Sequence, residues 1–354
     1  MSYDLYLNFP CKGQVDSKIV NNPELDIPTK VTLLAGLRYE ARKELDRTSQ
    51  ILGSKYRSLV LAQRPSQTHY NETIRECRKI LEKVGIWKPD IPDCTVLPAY
   101  STFLQFQFTL ATSYLSRDDE EFYIIDNPVR KDKVFKVPLI SGSAWKGNLR
   151  HTAQYLALFA WNENPKKIED FAEEYARLCL LFGNETDNEI ISNLKSLIKD
   201  DESATKVLAC YRERMREYVI DDNTILTHKG YLHFYPTFFD LIDLEVINPH
   251  NRQTRAGTKP IYFESVPAGT KGYFSLLYVP YGDINKELVQ KDLSLVTKAI
   301  KEMMLTYGFS AKKSSGFGAT EANLDSGRIV TNRGEWPVTS LFALDGEIKN
   351  VQWR

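Results

Sequence analysis

The sequence predicts an α+β fold on three observations. Strand and helix signals follow one another in a set order, a long amphipathic helix precedes the last strand, and much of the remaining chain reads as helix. Leaving insertions aside, the order is strand, helix, strand, strand, helix, strand. That is the split βαβ or ferredoxin-like arrangement, shared with RRM modules. The expectation is therefore an RRM-like core carrying a helical N-terminal extension and a helical insertion.

The elements follow in order. A short strand is expected at Tyr3 to Asn8. Pro28 and Thr29 open a helical stretch in which Leu33, Leu37, Ala41 and Leu45 recur at helical spacing. A second helix is expected from Asn71 to Val84, with Ile74, Cys77, Ile80, Leu81 and Val84 on one face. Pro89, Pro92 and Pro98 make Trp87 to Pro98 an irregular linker. Residues 1–98 are thus read as the extension.

The clearest strand runs from Thr102 to Ala111, where Phe103, Gln105, Gln107 and Thr109 alternate with Leu104, Phe106, Phe108 and Leu110. A charged loop spans Ser116 to Pro138. The next helix starts after Ser141 or Ser143, either of which can cap it, and runs to about Trp161 with Leu149, Ala153, Leu156 and Ala160 inward. Residues 162–217 read as a helical insertion, broken at Asn162 to Pro165 and at Phe182 to Asp187. Strands return at Tyr231 to Phe239, Leu241 to Ile247, Ile261 to Val266 and Gly272 to Val279, with a hairpin over 240–262. From Asn285 to Tyr307 a helix carries Val289, Leu293, Val296, Ile300, Met303, Met304 and Tyr307 in one stripe. A Gly-rich turn, Gly308 to Gly318, leads to a last strand near Ala319 to Leu324. The core is read as 99–335, and 336–354 as a tail packed on it by Trp336, Phe342 and Trp353.

Bulk composition narrows the functional classes. The 354 residues hold 42% apolar and 26% charged side chains, the proportions of a globular protein. Lys plus Arg is 46 and Asp plus Glu is 46. A free-standing DNA-binding domain carries a basic excess, so nucleic-acid contacts here must come from local clusters. The five cysteines form no CxxC pair, and the five histidines show no metal-site spacing. The N-terminus is too polar for a signal peptide, and no apolar run is long enough to span a membrane. A cytoplasmic location is expected.

Four stretches carry candidate chemistry. Ser141, Gly142 and Ser143 open a helix whose unpaired N–H groups and partial positive charge suit phosphate. Lys146 and Arg150 stand four apart on one face, and with His151 they can track a sugar-phosphate backbone. An ordinary capped, basic, solvated helix is the alternative. Lys312, Lys313, Ser314, Ser315 and Gly316 combine ammonium groups with the backbone of a Gly-rich turn, which suits phosphate. That turn fits neither a Walker loop nor a dinucleotide fingerprint, and it can equally be a plain helix-to-strand connection. Asp118 and Asp119 open a run of four acids, which by itself reads as a solvated loop. His250, Arg252 and Arg255 lie in a polar stretch between two strands, where a surface hairpin is the other reading.

Three stretches together resemble one family. Asp126-Asn-Pro-Val129 with Val137-Pro-Leu-Ile-Ser-Gly-Ser-Ala-Trp-Lys-Gly-Asn-Leu-Arg150 resembles the paired signature of the RAMP superfamily of type III CRISPR effectors. Phe263-Glu-Ser-Val-Pro-Ala-Gly-Thr270 resembles its approach to the third core strand, and Gly308 to Gly318 its C-terminal Gly-rich loop. Leu181-Phe-Gly183 is a weaker match. The resemblance covers about residues 100–330, and Ser141 stands where the family usually has Pro.

The resemblance implies an RNA-binding backbone subunit, similar to CRISPR-associated family 7, of a type III effector ribonucleoprotein in antiviral defence. Its implied partners are CRISPR guide RNA, complementary target RNA and other subunits of the complex, and no membrane. It also implies that an acidic residue in the loop after the first strand, here Asp118 or Asp119, cleaves target RNA as an endoribonuclease. A divalent cation, Mg or Mn, would assist, with no tightly bound cofactor. The hairpin would wedge over guide RNA through His250, Arg252 and Arg255. Three other readings remain: a guide-RNA processing endoribonuclease of the same fold using His151 and Lys146, a non-catalytic structural subunit, and a protein scaffold built on the helical insertions.

Overall fold

A computed structural model describes residues 22–25, 29, 69–117, 127–163, 168–184, 187–218, 229–249, 257, 260–282 and 284–353. The strand expected at Tyr3 to Asn8 and, apart from Thr29, the helical stretch after Pro28 lie outside these residues. The chain divides into two compact units, each built from separate stretches: 1–84, 113–139 and 239–270 in one, and 85–112, 140–238 and 271–354 in the other. The expected division, an extension ending at residue 98 and a core over 99–335, follows the chain, whereas each unit gathers separate stretches. Gly85 to Thr112 belongs with the sheet, whereas the hairpin belongs with helix α1 (His69–Lys83).

The larger unit is built on a five-stranded antiparallel sheet. Its strands are β1 (Thr102–Thr109), β3 (Leu232–Phe234), β7 (Lys271–Tyr278), β8 (Asn323–Thr331) and β9 (Gly334–Ser340), in the order β3-β7-β1-β8-β9. Between β1 and β3 lie helix α2 (Gly142–Glu163) and the inserted helices α3 (Ile168–Phe182), α4 (Asp187–Ile198) and α5 (Asp201–Tyr218). Helix α6 (Lys286–Glu302) lies between β7 and β8, and α7 (Leu344–Asn350) follows β9. Each crossover passes over one strand, so two β-α-β units interleave. On that interleaving the ferredoxin-like reading rests. Two short strands, β2 (Leu139–Ile140) and β4 (Thr237–Phe238), complete the set in chain order with β5 (Asp243–Ile247) and β6 (Ile261–Ser265).

Why the helices cover one face is legible in β1. Phe106 pairs with Phe274 of β7, and their rings stack at 5.1 Å. Trp145 of α2 meets Phe274 edge-on at 5.0 Å and Phe108 at 6.0 Å, and donates its indole N–H to Thr237 Oγ1 at 2.9 Å. Every one of these rings is fully buried, so Trp145 is the pin that fixes α2 on the sheet. Helix α6 starts at Asn285, whose side chain accepts from the Leu288 N–H at 2.9 Å. It docks through Asp292, which accepts from the Tyr278 hydroxyl at 2.8 Å and from Arg177 Nε of α3 at 2.9 Å. That buried ion pair fastens the first inserted helix to the core, so α3 is part of the packed body and not a free subdomain.

The opposite face of β1 is covered as well. Gln105, 1% exposed, donates to the carbonyl of Pro89 at 2.8 Å and to Ser275 Oγ at 3.1 Å. Trp87 and Cys94 are buried, and the Lys88 ammonium stands over the Tyr273 ring at 5.2 Å. The Pro-rich stretch read as a linker is therefore a strap across the sheet. In RRM modules that face is where bases stack; here the strap covers it around Phe103 and Gln105, while Gln107, Thr109 and Tyr273 stay half-buried.

The last strand begins later and runs further than the sequence signal. It starts at Asn323, continues to Thr331 and turns back into β9, so the expected end of the core at residue 335 falls inside a strand. Asp325, Ser326 and Gly327 disguise it. Ser326 takes a left-handed φ of 49° at a register shift between Asn323 and Gly327, the mark of a β-bulge. Trp353 of the tail donates to Thr102 Oγ1 at 2.9 Å.

In the smaller unit, β5 and β6 form an antiparallel hairpin in register Asp243 with Ser265 through Ile247 with Ile261. Helix α1 joins it through Asn71, which donates to the Ile242 carbonyl at 3.2 Å and accepts from the Ile242 N–H at 2.8 Å. Among the described residues, no helix is long and apolar enough to cross a membrane.

Candidate nucleic-acid interface

The start of α2 is capped by Ser141, whose Oγ accepts from the Ala144 N–H at 3.2 Å and lies 2.9 Å from Ser143 Oγ. No carboxylate stands in the first turn. Gly142 is required for a different reason than phosphate approach: a Cβ there would lie 2.5 Å from the Phe234 carbonyl oxygen of β3. The glycine lets the helix start press against the sheet edge and leaves the exposed Ser143 at the surface.

The Gly-rich turn is pinned at its base and open at its tip. After α6 the chain makes a π turn, Met303–Tyr307. Gly308 follows with a φ of 71°, and a Cβ there would lie 2.8 Å from the Phe317 carbonyl oxygen. The Phe309 N–H donates to the Gly318 carbonyl at 3.1 Å, closing the loop. The buried Phe309 ring sits 4.6 Å from Trp145. Lys312 adopts a left-handed φ of 57°. Beyond it Lys313–Ser315 makes one 3-10 turn in which Lys312, Ser314, Ser315 and Gly316 are exposed and Lys313 is half-buried.

The two motifs meet through Asn148. Lys313 Nζ donates to Asn148 Oδ1 at 2.8 Å, and Asn148 Nδ2 donates to the Ala144 carbonyl at 2.9 Å and the Phe309 carbonyl at 3.3 Å. Partial burial lowers the Lys313 pKa. Burial also pushes the His151 imidazole down, and the nearby Lys313 ammonium pushes it further. An anion bound beside them would favour the charged form of both groups and so oppose these shifts. Asn148 was absent from the sequence-derived candidates, although it stands within the helix motif between Lys146 and Arg150.

Lys146 and Arg150 do not join this cluster. At about 100° per residue, His151 lies about 140° round the helix from Lys146. Lys146 instead faces β3 with Lys229, where both lower the pKa of the already burial-depressed His233. Arg150 faces α3, beside the Tyr175 phenol and the Cys179 thiol. The expectation that Lys146, Arg150 and His151 share one track is thus corrected. A processing site joining Lys146 to His151 fails for the same reason.

The other motif pair is internal to the smaller unit. Glu264 and Lys131 have wholly buried side chains and form an ion pair. Glu264 Oε2 also accepts from the Val129 N–H at 3.0 Å, and the Glu264 N–H donates to the Asn127 carbonyl at 3.0 Å. Burial pushes the Glu264 carboxyl well above the usual range. The turn at Asn127 and the strand β6 are thus stitched together away from solvent. Asp118, Asp119, His250, Arg252 and Arg255 lie outside the described residues. Among the described residues, no three His, Cys, Asp or Glu side chains gather where they would hold a metal ion.

The model of the RAMP superfamily matches residues 107–321, which takes in every motif named above. The chain is 26% identical over 225 residues to the CRISPR system Cmr subunit Cmr6 of Pyrococcus furiosus, covering 56% of this chain and 62% of that protein. The chain thus spans less than two thirds of the length of this curated relative. It is similar to a chain in the structure of the type III-B Cmr-beta complex bound to cognate target RNA, with a TM-score of 0.42, 12% identity, and 93% of this chain and 91% of that chain covered. It is also similar to Csm3 of Methanopyrus kandleri, with a TM-score of 0.38, 16% identity and coverage of 66% and 78%.

Proposed function

The chain belongs to the RAMP superfamily, and from that premise we propose that it is an RNA-binding subunit of a type III CRISPR effector ribonucleoprotein. The observation that carries the reading is the Lys313–Asn148 contact. It brings the Ser-Gly-Ser helix start and the tip of the Gly-rich turn together in one unit and leaves their hydroxyl, ammonium and backbone groups at the surface. Such a cluster binds phosphates by charge and hydrogen bonding without reading bases, which suits a subunit that holds guide RNA of any sequence. The Cmr6 likeness supports placement among the Cmr-type complexes. Target RNA and neighbouring subunits are the further partners on this reading.

The reading is tested by binding of single-stranded RNA to the purified chain across a salt series. Affinity should fall steeply with salt, and Lys312→Ala with Lys313→Ala should weaken it while the fold stays intact. Salt-independent binding, or binding indifferent to both lysines, would count against it. Cleavage of target RNA at Asp118 or Asp119 with Mg or Mn is the finer part of the proposal. In the assembled complex, Asp118→Ala, Asp119→Ala or their double variant should abolish one cut and spare RNA affinity. Unchanged cleavage in all three removes the catalytic part and leaves a structural subunit.

A further inference from the structure

The strap over β1 raises a question for any RNA held by this unit: the sheet rings that would stack bases in an RRM are out of reach. On that face Phe103 is fully buried and the Tyr273 ring lies under the Lys88 ammonium. Exposed rings occur instead on α2. His151, Tyr155 and Phe159 follow at steps of four residues, so they form one stripe, with rings spaced by about 6 Å of helix rise. Tyr155 is 45% exposed and Phe159 61%. The His151 and Tyr155 rings lie 4.7 Å apart, and Tyr155 lies 6.1 Å from Tyr307 at the end of the π turn.

We propose that this stripe is a stacking platform for the bases of single-stranded RNA. The proposal rests on the RNA-binding reading above and says where the strand goes next: from the Lys313 cluster, along α2, toward Phe159. The surroundings have the charge an RNA strand needs. Lys313 stands at the head of the stripe beside His151, and along α2 the one carboxylate is Glu163, at its last position. Two of the three rings carry polar edges, which tolerate both a stacked base and solvent. Every base has a π-face, so stacking of this kind is indifferent to sequence.

The test uses the full chain and two labelled oligomers of equal length, an oligouridine and an abasic ribose-phosphate chain. The wild-type protein should bind oligouridine about tenfold more tightly than the abasic oligomer. Tyr155→Leu with Phe159→Leu should abolish that preference and leave abasic affinity unchanged, while Tyr155→Trp keeps it. Equal affinity of the wild type for the two oligomers overturns the platform and leaves the RNA-binding reading standing. So does a double variant that keeps the preference, even if it has stopped binding a purified neighbouring subunit, in which case the stripe is a protein-docking face. If the wild type binds neither oligomer at low salt, both readings fall.

Discussion

Glu264 with Lys131, and Lys313 with Asn148, are both polar pairs that bring sequence-distant motif segments together, yet they do opposite work. The first pair is sealed at 0% exposure on both side chains and also takes a backbone N–H. The second is only part-buried, with Lys312, Ser314 and Ser315 exposed beside it. Residue type alone does not tell a structural pair from a binding one. Solvent access separates them: a buried charge already has its partner, and only an exposed one has bonding capacity left for a ligand.

The largest expected effect breaks the sealed pair. Glu264→Ala strands a buried ammonium and should destabilise the protein by about 3–5 kcal/mol in denaturant unfolding, whereas Lys131→Met with Glu264→Leu should recover most of that loss. A small effect of the single substitution would make the two pairs alike. Next, Gly142→Ala forces a methyl toward the Phe234 carbonyl and should lower stability by about 1–3 kcal/mol. Intact stability would mean that the glycine serves a ligand and not the helix–sheet contact.

Substitution at the open pair should reverse the pattern. Lys313→Ala should change stability by about 1 kcal/mol or less, while the slope of log affinity against log salt for RNA falls by about one. The smallest effect is a pH dependence. Free His151 is held below its ordinary pKa by burial and by Lys313, and a bound phosphate raises it. Protonation then accompanies binding, so RNA affinity should rise as pH falls from the raised bound value to the lowered free one, and level off below it. His151→Gln should flatten that rise. An identical pH profile in the variant would remove His151 from the interface.

Much of the fold could be read before the structure. The alternation around Phe106 and Phe108 and the stripe on α6 are local signals, each contained within one element. Strand β8 was hidden because a bulge at Ser326 places turn-forming residues inside it, and the strap because prolines announce irregular backbone without saying what it covers. The candidate site was legible by halves. Both motifs were found and do meet, but Asn148, which joins them, was passed over for the charged residues on either side.

Sequence alone determined the order of strands and helices along the chain and the motif residues, since these depend on periodicity and on neighbours along the chain. Tertiary structure decided which face of α2 each basic residue takes. It sends Lys146 to the sheet edge, Arg150 to α3 and His151 to the glycine turn. It also decided that Glu264 is a core residue and that a Pro-rich strap covers part of the second face of the sheet. The physical reason is that burial and charge pairing are set by what lies across the gap, and in each case the neighbour comes from a distant part of the chain.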